Sequence, residues 1–463
     1  MDEFDFIVVG AGSAGCVLAD GLTANLAHSV LLLKAGGKDD SIFMKMPLGW
    51  RQIWRGPKCN WNFATQPEAH CDGRRLSLPR GKVLGGSSSI NGMLYVRGNP
   101  RDYDLWRQAG CVGWSYADVL PYFKRAEGSW RGESEYHGGS GPLGVSPTDV
   151  TNLNLPLIRD TAANVGVPVT SDFSGSQPEG FGVVDLTIKN GSRASASRVC
   201  LKPAMKRSNL RVEIRALTHR IVFEQGRATG VVYLQGGSER QAKARREVVI
   251  CGGSYNSPQL LVLSGVGPAD ELSQMGVKPV LDAPGVGKNL SEHVVFHVQY
   301  LMNALITFLN RLRGDRVAWS VLQWALWGKG DFATQALTAL AFVRSRPDLE
   351  RPDIQLFCNS VRMDAKIWFP GIGERQQHML EGYPSLNCPE SRGDVRLASA
   401  DPRDSPLIRL NFLSTQGDRA TARECIRWVR RFYNTKPLAD LIARAAAEAR
   451  RTSPRLSGQL SEG

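Results

Sequence analysis

The chain has no C-x-x-C pair: its nine cysteines stand singly along 463 residues. That spacing argues against a disulfide framework or a zinc site and makes a reducing cytoplasm the natural setting. Its first residues, Met1-Asp2-Glu3, are acidic and run straight into a strand-like segment. Without the basic start and apolar centre of a signal peptide, export is not expected. Long apolar runs are also missing. The most apolar stretch, Val294 to Leu309, is broken by His297, Gln299, Asn303 and Thr307, so a buried element is expected there rather than a spanning helix. There is no internal repeat and no recognised nucleic-acid motif. The net charge of +13 would suit an anionic partner, but Arg and Lys are dispersed and mixed with acids. No basic stripe interleaved with aromatics results, and a nucleic-acid partner is not expected. Trp319, Trp324 and Trp327 follow Arg311, Arg313 and Arg316. This leaves two readings open, peripheral membrane contact or tryptophans that pack a domain interface. The expected location is cytoplasmic, with membrane association as the second option.

The length allows a large core and two or three domains, or one discontinuous pair. Asp5 to Val9 is an apolar run of β-formers, Ser13 to Leu26 has helical apolar spacing, and Ser29 to Leu33 is apolar again. The three read as a β-α-β unit. Residues 36–80 lose periodicity and carry Gly, Pro and Trp, as expected of surface segments over a site. A helix is expected over Ser115 to Glu127, with Ser115 as cap and Asp118 in the capping-box position. Short β runs follow at Val212 to Ile214, Arg220 to Phe223, Ala228 to Tyr233 and Glu247 to Cys251. The turn Gly252-Gly253 then feeds a helix from about Ser257 to Leu263. The expected division is residues 1–299 as a cofactor-binding region, with 115–190 partly on the substrate side. Residues 300–440 are expected to form a substrate domain together with a truncated C-terminal region, and 441–463 a disordered tail.

Gly10-Ala11-Gly12-Ser13-Ala14-Gly15 has the G-x-G-x-x-G form between the expected strand and helix. Gly10 permits the tight turn, Gly12 lets backbone approach a pyrophosphate, and Gly15 allows close helix-to-strand packing, so the helix N-terminus faces the anion. A carboxylate normally follows at the end of the second strand to hold the ribose hydroxyls. Here the residue is Lys34, which is donor-only and suits a 2′-phosphate, keeping an NADP site open. The run Arg80-Gly81-Lys82-Val83-Leu84-Gly85-Gly86-Ser87-Ser88-Ser89-Ile90-Asn91-Gly92-Met93-Leu94 offers backbone N–H groups, hydroxyls and an amide to a flat, charged ligand. A flexible linker would not carry its interleaved Val83, Leu84, Ile90, Met93 and Leu94.

This run resembles the first signature of the glucose-methanol-choline (GMC) oxidoreductases, and Gly253-Ser254-Tyr255-Asn256-Ser257-Pro258-Gln259 through Gly267 resembles the second. YDLWRQAG near Tyr103, PGVGKNLSEH from Pro284, AFVRS at Ala341, RPDIQ at Arg351, SRGDVRLASADP at Ser391 and NFLS at Asn411 agree, so the likeness spans roughly residues 4–435. Within the family the sequence looks most like choline and aliphatic-alcohol dehydrogenases of bacterial type. The resemblance implies an α/β (α+β) fold: a Rossmann-like FAD-binding domain with a second, substrate domain on an antiparallel sheet. It implies FAD, with Gly10, Gly12, Ser13, Ala14 and Gly15 on the pyrophosphate and Lys34 at the ribose, where the family has Glu. Val83, Gly86, Ser87, Asn91, Gly92, Met93 and Leu94 would lie near the flavin, and Thr218 would give backbone contacts to adenine. His293 matches a family histidine read as structural; His28, His219, His297 and His378 are expected to be ordinary histidines.

The activity implied is oxidation of the CH-OH group of a small alcohol, of choline or primary-alcohol type, with the hydride passing to flavin N5. The family's catalytic His belongs to a segment near the C-terminus, whereas this sequence has no His after His378. No catalytic residue is therefore assigned; the sequence looks like a truncated member, expected to bind FAD weakly and to turn over poorly. The alternatives are a non-catalytic protein that keeps the FAD fold, and an NADP-dependent dehydrogenase resting on Lys34. No metal site is expected. The alcohol, the electron acceptor and the oligomeric state are not assigned, and neither an aromatic cage nor a carboxylate for a quaternary ammonium can be placed.

Overall fold

The computed structural model describes residues 2–54, 56–372 and 376–445. The first sheet grows from the β-α-β unit. Strand β1 (Asp2–Val9) pairs in parallel with β2 (Val30–Lys34), and helix α1 (Ser13–Thr23) joins them. Strands β3 (Leu210–Ile214), β4 (Ala216–Glu224), β5 (Arg227–Gln235) and β6 (Ser238–Ile250) complete it. The order is β3-β2-β1-β6-β5-β4, parallel across its first four strands and antiparallel for the β4-β5-β6 meander. Helix α2 (Gly253–Leu263) follows β6 directly. Burial on both faces explains the apolar run Val30–Leu33 of β2, whose fifth residue, Lys34, is buried with it.

The second sheet is antiparallel, as expected, and is assembled from segments far apart in sequence. Strands β7 (Val298–Met302), β8 (Leu337–Val343), β9 (Ile354–Asn359), β10 (Met379–Leu386) and β11 (Ile442–Ala445) stand in the order β11-β7-β10-β9-β8. Gly180–Gly182 adds the edge beside β8, and Val294–Val295 also pairs with β10. One face packs on helix α4 (Gln416–Tyr433), where Tyr300 stacks on Tyr433 with centroids 4.3 Å apart. Helix α3 (Gly314–Trp327) lies outside this core.

Several expectations meet the structure. The Ser115–Asp118 capping box is formed, with Ser115 N donating to Asp118 at 3.0 Å. Helix α1 stops at Thr23 rather than Leu26, because the Asn25 side chain accepts from Ala27 N and turns the chain away. Helix α2 starts earlier than expected, at Gly253. Residues 36–80 are not mainly surface: Met44, Met46, Leu48, Ile53, Phe63 and Leu78 are buried, and short helices and strands form among them. The disordered tail does not begin at 441, since Ile442–Ala445 pairs with β7 through backbone hydrogen bonding, which needs no apolar pattern; the rest of that tail lies outside the described residues. Val294 to Leu309 supplies strand and 3-10 helix, and among the described residues no helix is long and apolar enough to cross a membrane. Trp324 donates to Gly191 O at 2.8 Å, while Trp319 and Trp327 are exposed.

A charge network lies at the short strand Glu127–Ser129, outside the two large sheets. Arg97 pairs with Glu127 at 2.7 Å, and His137 bridges Glu127 (3.0 Å) and Asp172 (2.8 Å) through its two ring nitrogens. Asp172 and then Glu127, as hydrogen-bond partners, push the His137 pKa up to about 9. A folded value above the unfolded one gives stability that is complete below about pH 6.5 and is lost as pH rises through about 9. His137→Ala leaves the buried Glu127 and the half-buried Asp172 carboxylates short of a partner and is expected to cost about 3 kcal/mol near neutrality. Thermal denaturation of both proteins from about pH 6 to about pH 10 should show the difference shrinking at the alkaline end.

Candidate functional site

The turn between β1 and α1 is built by close backbone approach. Gly10 has φ +108°, and a Cβ there would overlap the Cys251 carbonyl at the end of β6. A Cβ on Gly15 would overlap the Gly10 carbonyl, so Gly15 packs the helix onto the turn and faces away from the cleft. Gly12 differs: a Cβ there would meet nothing nearer than Cys251 O at 4.0 Å. The Gly/Ser run is laid against the same turn, with Gly85 N donating to Ala11 O at 2.9 Å and Gly86 at φ +56° beside Gly12.

These contacts border a cleft of about 520 Å³. Neither α1, capped by Gly12, nor α2, capped by Gly252, has a side-chain cap or an acid in its first turn. Two helix N-termini with uncapped N–H groups therefore meet one cavity, an arrangement suited to a diphosphate. Of the residues picked from sequence, Gly10, Gly12, Ser13, Ala14, Lys34, Gly86, Ser87 and Thr218 line it. The Thr218 hydroxyl is buried and has no partner among the described residues.

The others sit off this lining. Val83 is buried with Met44, Ile53, Cys59 and Ile90. Asn91 accepts from Met93 N (3.1 Å) and Arg193 (2.8 Å), Gly92 lies against Trp50, and Met93 and Leu94 join the cluster containing Trp50, Phe342 and Phe357 beside the second sheet. The flavin-side segment of the resemblance thus extends from the cleft toward the second sheet.

Residues not picked from sequence also shape the cleft. Arg80 donates to Tyr255 OH (2.9 Å) and Glu292 (2.5 Å) and lies 4.7 Å over the Tyr255 ring, closing the wall near Trp61. Lys34 is buried, with Gly81 O as its acceptor at 3.2 Å, and burial holds its pKa down to about 8.

The second sheet carries a polar cluster on the face away from α4. Glu381 on β10 is fully buried and accepts from His297 (3.0 Å), Gln299 (2.8 Å), Tyr383 OH (2.6 Å) and Met363 N (2.9 Å). Although burial opposes ionisation, the His297, Tyr383 and Gln299 hydrogen bonds together hold the Glu381 carboxyl below the usual range. His297 stacks on Tyr383 with centroids 4.6 Å apart and planes 3° from parallel, and its side chain is 45% exposed. Tyr383 is paired in register with Phe357, which joins the Met93–Leu94 cluster. His297 is therefore more than an ordinary surface histidine. Of the other histidines, His378 is buried against Thr307, His219 meets Glu239, and His293 is exposed.

GMC oxidoreductase family models match residues 4–295 and, for the C-terminal part, 389–460. The chain is a GMC oxidoreductase. It is 46% identical over 433 residues to the oxygen-dependent choline dehydrogenase of Vibrio vulnificus, covering 92% of this chain and 76% of that protein. The enzyme of the same name from Photobacterium profundum is 44% identical, covering 94% and 77%. Among solved structures, pyridoxine 4-oxidase from Mesorbium loti superposes with a TM-score of 0.84 at 25% identity, over 96% of this chain and 82% of that one. Formate oxidase of Aspergillus oryzae RIB40 gives 0.88 at 24% identity, over 96% and 83%, a likeness of fold. GMC oxidoreductases are FAD-binding flavoproteins, and the residues here fit that group. Two uncapped N-termini face the cleft, Gly12 leaves space for a phosphate, and the buried Thr218 hydroxyl has no partner among the described residues.

Gly12 gives a clean test. Gly12→Ala should fold, with a melting temperature within about 2 °C of the parent, because its methyl meets open space. That methyl would narrow the space through which the turn's backbone approaches a pyrophosphate, so FAD affinity, read by flavin fluorescence, should fall at least about tenfold. Gly10→Ala should instead lose several kcal/mol (order of magnitude) of stability, from the φ strain and the overlap with Cys251.

Proposed function

We propose that this chain is an FAD-dependent oxidoreductase acting on the CH-OH group of a small alcohol of choline type. The observation that carries the reading is the meeting of two uncapped helix N-termini at a glycine-walled cleft, in a chain 46% identical to a choline dehydrogenase. Gly10, Gly12, Ser13 and Ala14 would hold the pyrophosphate through backbone N–H groups. Ser87 and the Asn91–Leu94 segment would lie along the flavin, and Thr218 would meet the adenine. When bound, FAD supplies the hydride acceptor for the alcohol carbon.

The chain's own residues bind and orient. Arg193 donates to Met44 O (3.1 Å), Ser88 O (3.1 Å) and Asn91 (2.8 Å), fixing the flavin-side segment to the short helix before it. On the second sheet, the stacked His297–Tyr383 pair backed by Glu381 would form a wall for the alcohol's cationic end. A quaternary ammonium has no N–H to donate, so a carboxylate whose lone pairs are already taken still attracts it through charge, and the ring faces add a cation–π contribution. The Arg51 guanidinium, anchored on the carbonyls of Arg362 and Met363, offsets part of that charge.

Two measurements test this. The purified protein should retain FAD, and its visible absorbance should bleach when choline is added without oxygen. A flavin that stays oxidised would favour the non-catalytic reading, and the absence of any flavin would remove the cofactor assignment. Glu381→Gln should raise KM for choline about tenfold while leaving KM for the neutral tert-butyl analogue of choline within about twofold. An equal effect on both alcohols would place Glu381 in the scaffold alone.

A further inference from the structure

At the end of the second strand a β-α-β nucleotide site meets the ribose of adenosine, whose two hydroxyls are donors in need of an acceptor. This chain places Lys34 there, 6% exposed and on the cleft wall. An ammonium has three N–H groups and accepts nothing. One of them goes to Gly81 O at 3.2 Å, and no acidic side chain pairs with it among the described residues. The charged neighbour acting on it is Lys82, which repels, and the Cys16 thiol close by is pushed up to about 12 by burial and stays neutral. The second cation of the lining, Arg80, is engaged by Glu292 and Tyr255. Among the described residues no Asp or Glu lines the cleft. Burial holds the Lys34 ammonium down to about 8, so at neutral pH it is still mostly protonated.

A buried cation with one neutral acceptor is a costly arrangement when nothing else completes it. The missing partner is an anionic acceptor at the position of the ribose. We propose that the ribose end of this cleft selects a phosphate: Lys34 makes it favour adenine nucleotides phosphorylated on the ribose 2′-oxygen and weakens its hold on the free diol of FAD. The inference rests on the reading above, that this cleft takes the adenosine half of a dinucleotide.

The test is displacement of FAD from the full chain, followed by released flavin fluorescence, with ADP and adenosine 2′,5′-bisphosphate as competitors. They carry the same number of phosphates and differ in whether the second extends the 5′-phosphate or sits on the ribose 2′-oxygen. The unsubstituted chain should be emptied by the bisphosphate at about one tenth of the ADP concentration. Lys34→Glu should reverse that order and hold FAD about tenfold more tightly, as an acceptor replaces a donor. Lys34→Met, which keeps the apolar stem without the charge, should bring the two competitors within about twofold, and serves if the Glu variant does not fold. Equal competition in the unsubstituted chain, or a bisphosphate preference that survives in Lys34→Met, would overturn the proposal. A folded chain that binds neither FAD nor either nucleotide, in all three forms, would overturn the cleft's assignment itself.

Discussion

Everything at the cofactor cleft depends on backbone lying against backbone. The turn of residues 10–15 touches the end of β6 through Gly10, and the Gly/Ser run touches the same turn, where a Cβ on Gly86 would stand 2.8 Å from Gly12 Cα. Gly81 in turn lies on Gly86, and a Cβ there would overlap that residue's carbonyl group. Side chains at these positions would push three segments apart. Their absence brings α1 and α2 to one cavity with their first N–H groups uncovered. Catalytic potential here begins with what is left out of the packing.

That constraint also explains what can be read from sequence. Local signals are legible: the glycine turn, the Ser115–Asp118 capping box and the β4-β5-β6 meander each depend on residues a few positions apart. The antiparallel second sheet follows from the family resemblance, but its strand order does not, because neighbours in it come from around 180, 298, 340, 356, 382 and 443. Segment 36–80 reads as surface, wrongly, for the same reason. Its apolar residues have no period of their own: Met44, Ile53 and Cys59 pack together with Val83 and Ile90, Phe63 pairs with Leu78, and Trp50 donates to Gln335 at 2.6 Å.

The polar sites missed from sequence share a physical cause. Arg80 and Tyr255 are 175 positions apart, and His297 and Glu381 are 84 apart. Each pair joins a strand or turn of one segment to another through a side-chain contact with no local signature. A histidine next to an apolar strand pattern gives no hint of a carboxylate waiting on the neighbouring strand. Cross-strand register decides it, since Gln299 stands opposite Glu381 in the β7–β10 pairing.

Buried charge in this protein divides into two kinds, and the division separates scaffold from site. Glu127 is wholly enclosed and met by Arg97, His137 and the Gly138 N–H at 3.0 Å. Such groups offset their desolvation inside the fold, and their removal registers first as lost stability. Lys34 is as deeply placed, yet it has one carbonyl, and a second cation acts on it. If its role were to hold β2 to the Gly/Ser run, a neutral donor would make the same bond to Gly81 without the cost of a buried charge. The charge gains a counterpart only when something anionic enters the cleft, so its free energy belongs to binding and not to folding.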